Sequence, residues 1–87
     1  MAGYRVFIKR SASKELEAIG ANVDRQRIVA RIQDLSGDPR PRGCEKLGGH
    51  DDRYRVRRGN YRIVYLVDDL ERIVTVFKIG HRREIYR

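Results

Sequence analysis

The chain has 87 residues, 40% of them hydrophobic, and carries twenty Lys and Arg against twelve Asp and Glu for a net charge of +8. That length suits one small domain with a thin core and leaves no room for a deep cofactor cleft. No apolar run approaches the roughly 20 residues that cross a bilayer, and the single Cys44 has no internal disulfide partner, which fits a reducing, cytoplasmic setting.

The first stretch, YRVFIKR at Tyr4–Arg10, reads as a strand, because β-branched and aromatic residues follow one another without a breaker. Since this pattern begins at once, no signal peptide is expected. Ser11 is placed to cap a helix. Ala12, Leu16 and Ile19 then recur at helical spacing, and Gly20 closes the helix. Asn22 is placed to cap a second helix, with Ile28, Val29, Ile32 and Leu35 as its buried stripe. Two helices this close predict an α-hairpin.

SGDPRPRG at 36–43 holds two prolines and two glycines and ends the helical part. Cys44–Asp52 reads as an ordered loop anchored in the core by Leu47. Three strands follow: Arg53–Arg57, Tyr61–Val67 and Arg72–Ile79, with short turns at Gly59-Asn60 and Asp68-Asp69. The expected fold is α+β in the order β-α-α-β-β-β, with the α-hairpin on one face of a curled antiparallel sheet. The first strand is expected at an edge or beside the last strand.

Alternation along Arg53–Arg57 puts Tyr54 and Val56 under the helices and Arg53, Arg55 and Arg57 on the open face. Arg62 is the one charge in its apolar strand and is expected on that face too, across from Arg55 or Arg57, because a lone guanidinium in the core is costly. Gly80 lets the backbone turn, so HRREIYR at 81–87 is expected to fold over the rim and bring His81, Arg82, Arg83 and Tyr86 near the arginines.

Metal-ligand spacing is missing, and Cys44 and His50 stand alone in a loop, so no metal and no small-molecule cofactor are expected. A Gly-rich phosphate loop is missing too, as is a serine or cysteine nucleophile beside a base. What remains is a set of guanidinium groups, an imidazole and a phenol. The guanidinium fork matches phosphate, and an imidazole titrates near neutrality. That set suits a phosphate gaining charge in a transition state, and RNA above all, since RNA carries its own 2′-hydroxyl nucleophile. Taken singly, the residues also fit plainer roles. Arg53, Arg55 and Arg57 fit a solvated sheet face, Tyr86 a C-terminal packing anchor, and His81 a surface residue at a strand end.

YRVRRGNYRIVYLV at 54–67 together with KIGHRREIYR at 78–87 resembles the RelE/ParE toxin superfamily, and within it the RelE-type messenger RNA interferases. The resemblance covers nearly the whole chain and implies one RelE-like toxin domain over residues 1–87. It implies a type II toxin acting in the ribosomal A site, cutting messenger RNA without metal to a 2′,3′-cyclic phosphate and a 5′-hydroxyl, and so inhibiting translation. The implied partners are messenger RNA, the ribosome and a small RelB-like antitoxin, with no membrane. Matched position by position, the family's basic pair falls on Arg55 and Arg57 and its other catalytic residues on Arg62, Arg82 and Tyr86. In that match Arg57, Arg62 and Arg82 stabilise the phosphate, and Tyr86 is the base or the group that stacks. His81 is added for its own chemistry, as a proton donor or second base. Arg53, Arg55, Arg83 and Arg87 are the implied RNA-binding residues, and Arg83 competes with Arg82 for the phosphate. Well-known members carry lysines where this chain has Arg55 and Arg57, and arginine cannot act as a base. Two alternatives stand beside this reading: a ParE-like inhibitor of DNA gyrase, and a degenerate member that only binds antitoxin.

Overall fold

The computed structural model describes residues 3–49 and 52–81. The elements run β1 (Arg5–Ile8), α1 (Arg10–Glu17), α2 (Asn22–Asp34), β2 (Glu45–Lys46), β3 (Arg53–Arg58), β4 (Tyr61–Asp68) and β5 (Ile73–His81). They form one five-stranded sheet in the order β1-β5-β4-β3-β2. Two helices on one face of a sheet give the α+β class that the periodicity predicts. The sheet is mixed, however: β1 lies at the edge and runs parallel to β5, while the other pairings are antiparallel.

The first strand is shorter than its sequence pattern. Lys9 is still extended and its N–H donates to the Val76 carbonyl at 2.8 Å, but Arg10 already begins α1. Ser11 is therefore inside the helix, and Lys9 is the N-cap without a side-chain cap bond. Asn22 likewise opens α2 and Ala21 precedes it as the cap. The Asn22 carboxamide oxygen accepts from Arg25 at 3.0 Å instead of from the helix backbone. Ile19 falls beyond the end of α1, yet it is buried in the core. α1 packs chiefly on β5, and α2 on β3 and β4, so the sheet aligns both helices.

Tyr54, Val56, Ile63, Tyr65, Val74, Val76 and Ile79 from the sheet meet Ala12, Ile28, Ile32 and Leu35 from the helical side. Tyr65 is fully buried, and its hydroxyl donates to the Pro39 carbonyl at 2.7 Å, tying the Pro-Gly stretch to the core. Burial pushes this phenol well above its ordinary pKa, with Cys44 adding to the shift. At the same end Arg40 donates to the Tyr54 hydroxyl at 3.0 Å and to Asp69 at 2.6 Å, and Tyr4 donates to Asp69 at 2.6 Å. That network clasps the start of β1, the Pro-Gly stretch and the β4–β5 turn together.

The loop expected over 44–52 contains a strand. Glu45 and Lys46 pair with Arg55 and Tyr54 as β2. Leu47 is half-buried and lies outside the core cluster, against which Cys44 packs instead. The short β3–β4 connection is a two-residue turn with a positive φ at Gly59 alone, the pattern of a type II′ hairpin. Between β4 and β5 the pairing slips. Val64 faces Lys78 and Tyr65 faces Val76, so Phe77 is an extra residue, a β-bulge.

Candidate RNA-binding and catalytic site

The open face of the sheet carries the cationic residues by strand alternation. Arg53, Arg55 and Arg57 share one side of β3, and the β3–β4 register sets Arg57 directly opposite Arg62. The register puts the three β3 arginines and Arg62 on one face, as expected, but Arg62 does not escape burial there. Arg62 is 4% exposed and is the one buried charged residue among those described. A guanidinium held that deep in a central strand is poorly hydrated and positioned by its surroundings, which suits it to a phosphate and not to bulk water.

Gly43, Glu45, Arg55, Arg57 and Arg62 line a hollow of about 120 Å³ on this face. β2 is what closes it. Glu45 sits opposite Arg55 in the register, and a single carboxylate oxygen accepts from Arg55 Nε at 3.0 Å and Nη2 at 2.5 Å. Those bonds hold the Glu45 carboxyl below the ordinary carboxylate range, and the charges of Arg55, Arg62 and Arg57 act in the same direction. Glu45 is thus ionised at neutral pH. It also pins Arg55, whose side chain is 16% exposed, while its own remains 63% exposed. Gly43, at φ 91°, brings the chain to the hollow in a left-handed conformation that favours glycine.

Among the described residues, the hollow offers three guanidinium groups and one proton acceptor. The guanidinium groups can neutralise an oxyanion, and none of them can take up a proton. Among the described residues lining the hollow, Glu45 is the group able to do so. Sequence reasoning misses it as part of the site because two residues of strand carry no readable periodicity. The one signal is the acidic side chain in CEKLGG, and it becomes informative only once β2 is paired with β3.

The other sequence-predicted residues divide. Arg53 shares the face but lies away from the hollow, stacked over the Phe77 ring at 5.2 Å. His81 does not come to the arginine face. It pairs with Tyr61 and meets that ring edge-on at 5.8 Å, and Tyr61 alternates with Arg62 along β4, so the imidazole is on the helical side. The physical reason is that β5 continues through Gly80 to His81 before any turn, so the strand alternation governs His81 as well. Arg82, Arg83, Tyr86 and Arg87 lie outside the described residues, as does His50. Among the described residues there is no group of three or more His, Cys, Asp and Glu placed to hold a metal, and no helix long and apolar enough to cross a membrane.

Comparison with known proteins gives one consistent answer. Residues 6–86 match the family model of the ParE toxin of type II toxin–antitoxin systems, parDE. The toxin RelG of Mycobacterium tuberculosis is 27% identical over 84 residues, covering 97% of each chain. The structure superposes on the archaeal RelE–RelB complex from Pyrococcus horikoshii with a TM-score of 0.81 at 30% identity, covering 94% of this chain and 97% of that one. It superposes on a double mutant of the Escherichia coli toxin RelE in the free state with a TM-score of 0.80 at 26% identity, covering 97% and 88%. The chain therefore belongs to the RelE/ParE superfamily of type II toxin–antitoxin toxins, as a RelE-type member.

Proposed function

We propose that residues 1–87 act as one RelE-like toxin domain, a ribosome-dependent and metal-independent endoribonuclease that cleaves messenger RNA in the ribosomal A site and so inhibits translation in the cytoplasm. The observation that carries this reading is the hollow in which Arg55, Arg57 and Arg62 converge beside the Glu45 carboxylate. In the reaction the 2′-oxygen forms a bond to the adjacent phosphorus and the bond from phosphorus to the 5′-oxygen breaks. The 2′-hydroxyl proton passes to a base and another proton is delivered to the leaving 5′-oxygen. The products are a 2′,3′-cyclic phosphate and a 5′-hydroxyl.

In this scheme Arg57 and Arg62 stabilise the charge that grows on the phosphate, with Arg82 joining them from the C-terminal segment. Glu45 supplies a base beside the phosphate, and Tyr86 takes the second proton-transfer role or stacks on the nucleobase. His81, on the opposite face, has no part in the hollow. A carboxylate with a depressed pKa is a weak base, which makes external positioning of the message necessary. The ribosome would hold the message in line for attack, an effect worth about 7–11 kcal/mol in favourable cases.

The partner in the resting state is a small RelB-like antitoxin, as in the RelE–RelB complexes that the fold resembles. Exposed Phe7 and Ile8 on the edge strand β1, next to the Val29 and Ile32 face of α2, offer apolar surface to such a segment.

The test is incubation of purified protein with a synthetic message, with and without programmed ribosomes, followed by mapping of 5′ ends. Cuts confined to the A-site codon, with free RNA left intact, are expected. Equal cleavage of free RNA would sink the ribosome requirement. Intact messages with blocked DNA supercoiling would move the protein to a gyrase-directed activity.

A further inference from the structure

A second cationic concavity lies beside the hollow. Arg27 and Arg31 are four residues apart on α2 and therefore share one helix face. They look across a cleft of about 490 Å³ toward Arg57 and Arg58 at the end of β3. Ala30, on the same helix face, leaves the floor of the cleft open, and among the described residues Asp34 is the one carboxylate lining it. Among the described residues none of the four guanidinium groups has a carboxylate at ion-pair distance. Arg27, Arg57 and Arg58 are exposed and Arg31 is half-buried, so their planar forks are accessible. Arg57 lines both this cleft and the hollow that holds Arg62. A continuous strand whose phosphates repeat at each nucleotide can therefore occupy both, passing Arg57 between them. An acidic protein helix presents no such repeat to two concavities of unequal size.

We propose that the cleft framed by Arg27, Arg31, Arg57 and Arg58 is a second phosphate subsite, which grips the sugar–phosphate backbone of the RNA strand flanking the cleavage position. The proposal rests on the endoribonuclease reading. The cleft is too open and too polar to read a base, and exposed arginines hold phosphates without regard to sequence. Its role is to fix the path of the strand so that the scissile phosphate enters the hollow. Arginine is suited to this because its fork engages a phosphate at two points, where lysine acts as a point charge.

The test titrates a short 2′-O-methyl RNA oligonucleotide, which binds but lacks the nucleophile, across a salt series. The proteins are wild type, the double variant R27Q/R31Q, the charge-keeping R27K/R31K, and R10Q/K14Q on α1 as a control of equal charge loss outside the cleft. Melting curves confirm that each is folded. The slope of log affinity against log salt should become shallower by about 0.7 for each phosphate that R27Q/R31Q no longer neutralises. The wild-type slope should persist in R27K/R31K and be unchanged in R10Q/K14Q. An unchanged slope in R27Q/R31Q overturns the subsite. So does an equal loss in the α1 control, or no binding by wild type at low salt. Loss of binding to an oligo-glutamate peptide equal to the loss against RNA also overturns it, and assigns the cleft to an acidic protein partner. Cleavage on programmed ribosomes is scored in parallel. A wild type that binds the oligonucleotide through Arg27 and Arg31 but cuts no message overturns the endoribonuclease reading and leaves the phosphate subsite standing.

Discussion

Glu45→Gln is the substitution that separates two roles for the carboxylate in the hollow. The glutamine keeps an oxygen where Glu45 accepts from Arg55 Nε at 3.0 Å, so Arg55 stays oriented, but it cannot take a proton. If Glu45 is the base, single-turnover cleavage on programmed ribosomes should fall by about 10²–10⁴-fold, the usual contribution of a positioned acid or base. Glu45→Ala should fall at least as far, because it also removes both Glu45 bonds to Arg55. The side chain is 63% exposed, so the melting temperature of either variant should barely move, and lost turnover is not lost fold. The pH profile adds an independent check. Arg55, with help from Arg62 and Arg57, holds the Glu45 carboxyl below its ordinary range. The acid limb of the rate profile should therefore lie below that of an unperturbed glutamate. Glu45→Gln should remove this limb. A Glu45→Gln protein with wild-type turnover would refute the base assignment and leave Glu45 as the group that pins Arg55.

Arg62→Met keeps an apolar stem in the buried position and removes the charge; cleavage should drop by about 10²–10³-fold, as for loss of one oxyanion donor, with the fold retained by circular dichroism. Tyr65→Phe deprives the buried Pro39 carbonyl of its 2.7 Å donor; urea unfolding should show a loss of about 1–3 kcal/mol, and each kcal/mol should lower the melting temperature by about 4–8 °C in a domain of this size. Because burial raises the Tyr65 pKa, its contribution is whole below the ordinary phenol pKa of about 10 and is lost as pH rises beyond it, so wild-type stability should decline in strong alkali and Tyr65→Phe should decline less. Hydrogen bonds from Arg40 and Tyr4 hold the Asp69 carboxyl below its ordinary range, so Asp69 adds stability above that range and loses it as pH falls through the depressed value; urea midpoints of Asp69→Asn should show a flatter acid limb. Tyr86→Phe should lower cleavage by about 10²–10⁴-fold if the hydroxyl transfers a proton, and unchanged turnover would leave Tyr86 as a stacking or packing residue.

Local patterning carries a great deal of this protein. β-branched and aromatic runs locate β3, β4 and β5 to within a residue or two, since each is bounded by turn residues and its buried partners lie close in sequence. Helical spacing locates both helices and the buried Ile28, Ile32 and Leu35. Alternation alone is enough to send Arg53, Arg55 and Arg57 to one face, because a strand gives each side chain only two directions; Arg62 joins them through the register of β4 on β3.

The features that local patterning misses depend on distant partners. β2 is two residues long and exists because Glu45 and Lys46 meet the edge of β3; no property of CEKLGG announces that meeting. Ser11 and Asn22 are good capping residues, but α1 starts where β1 releases the chain from β5, and α2 opens on Asn22 itself with Ala21 as its cap.

The α+β class, the core stripes and the cationic face are legible in the chain alone, because all three follow from side-chain periodicity over a few residues. Long-range pairing is what turns that face into a site. The antiparallel register places Arg57 against Arg62, the edge pairing of β2 sets Glu45 on Arg55, and the unbroken run of β5 carries His81 to the helical side. Each of these is a pairing between separate segments of the chain, fixed by sheet hydrogen bonding and core packing, and hence invisible to a local pattern.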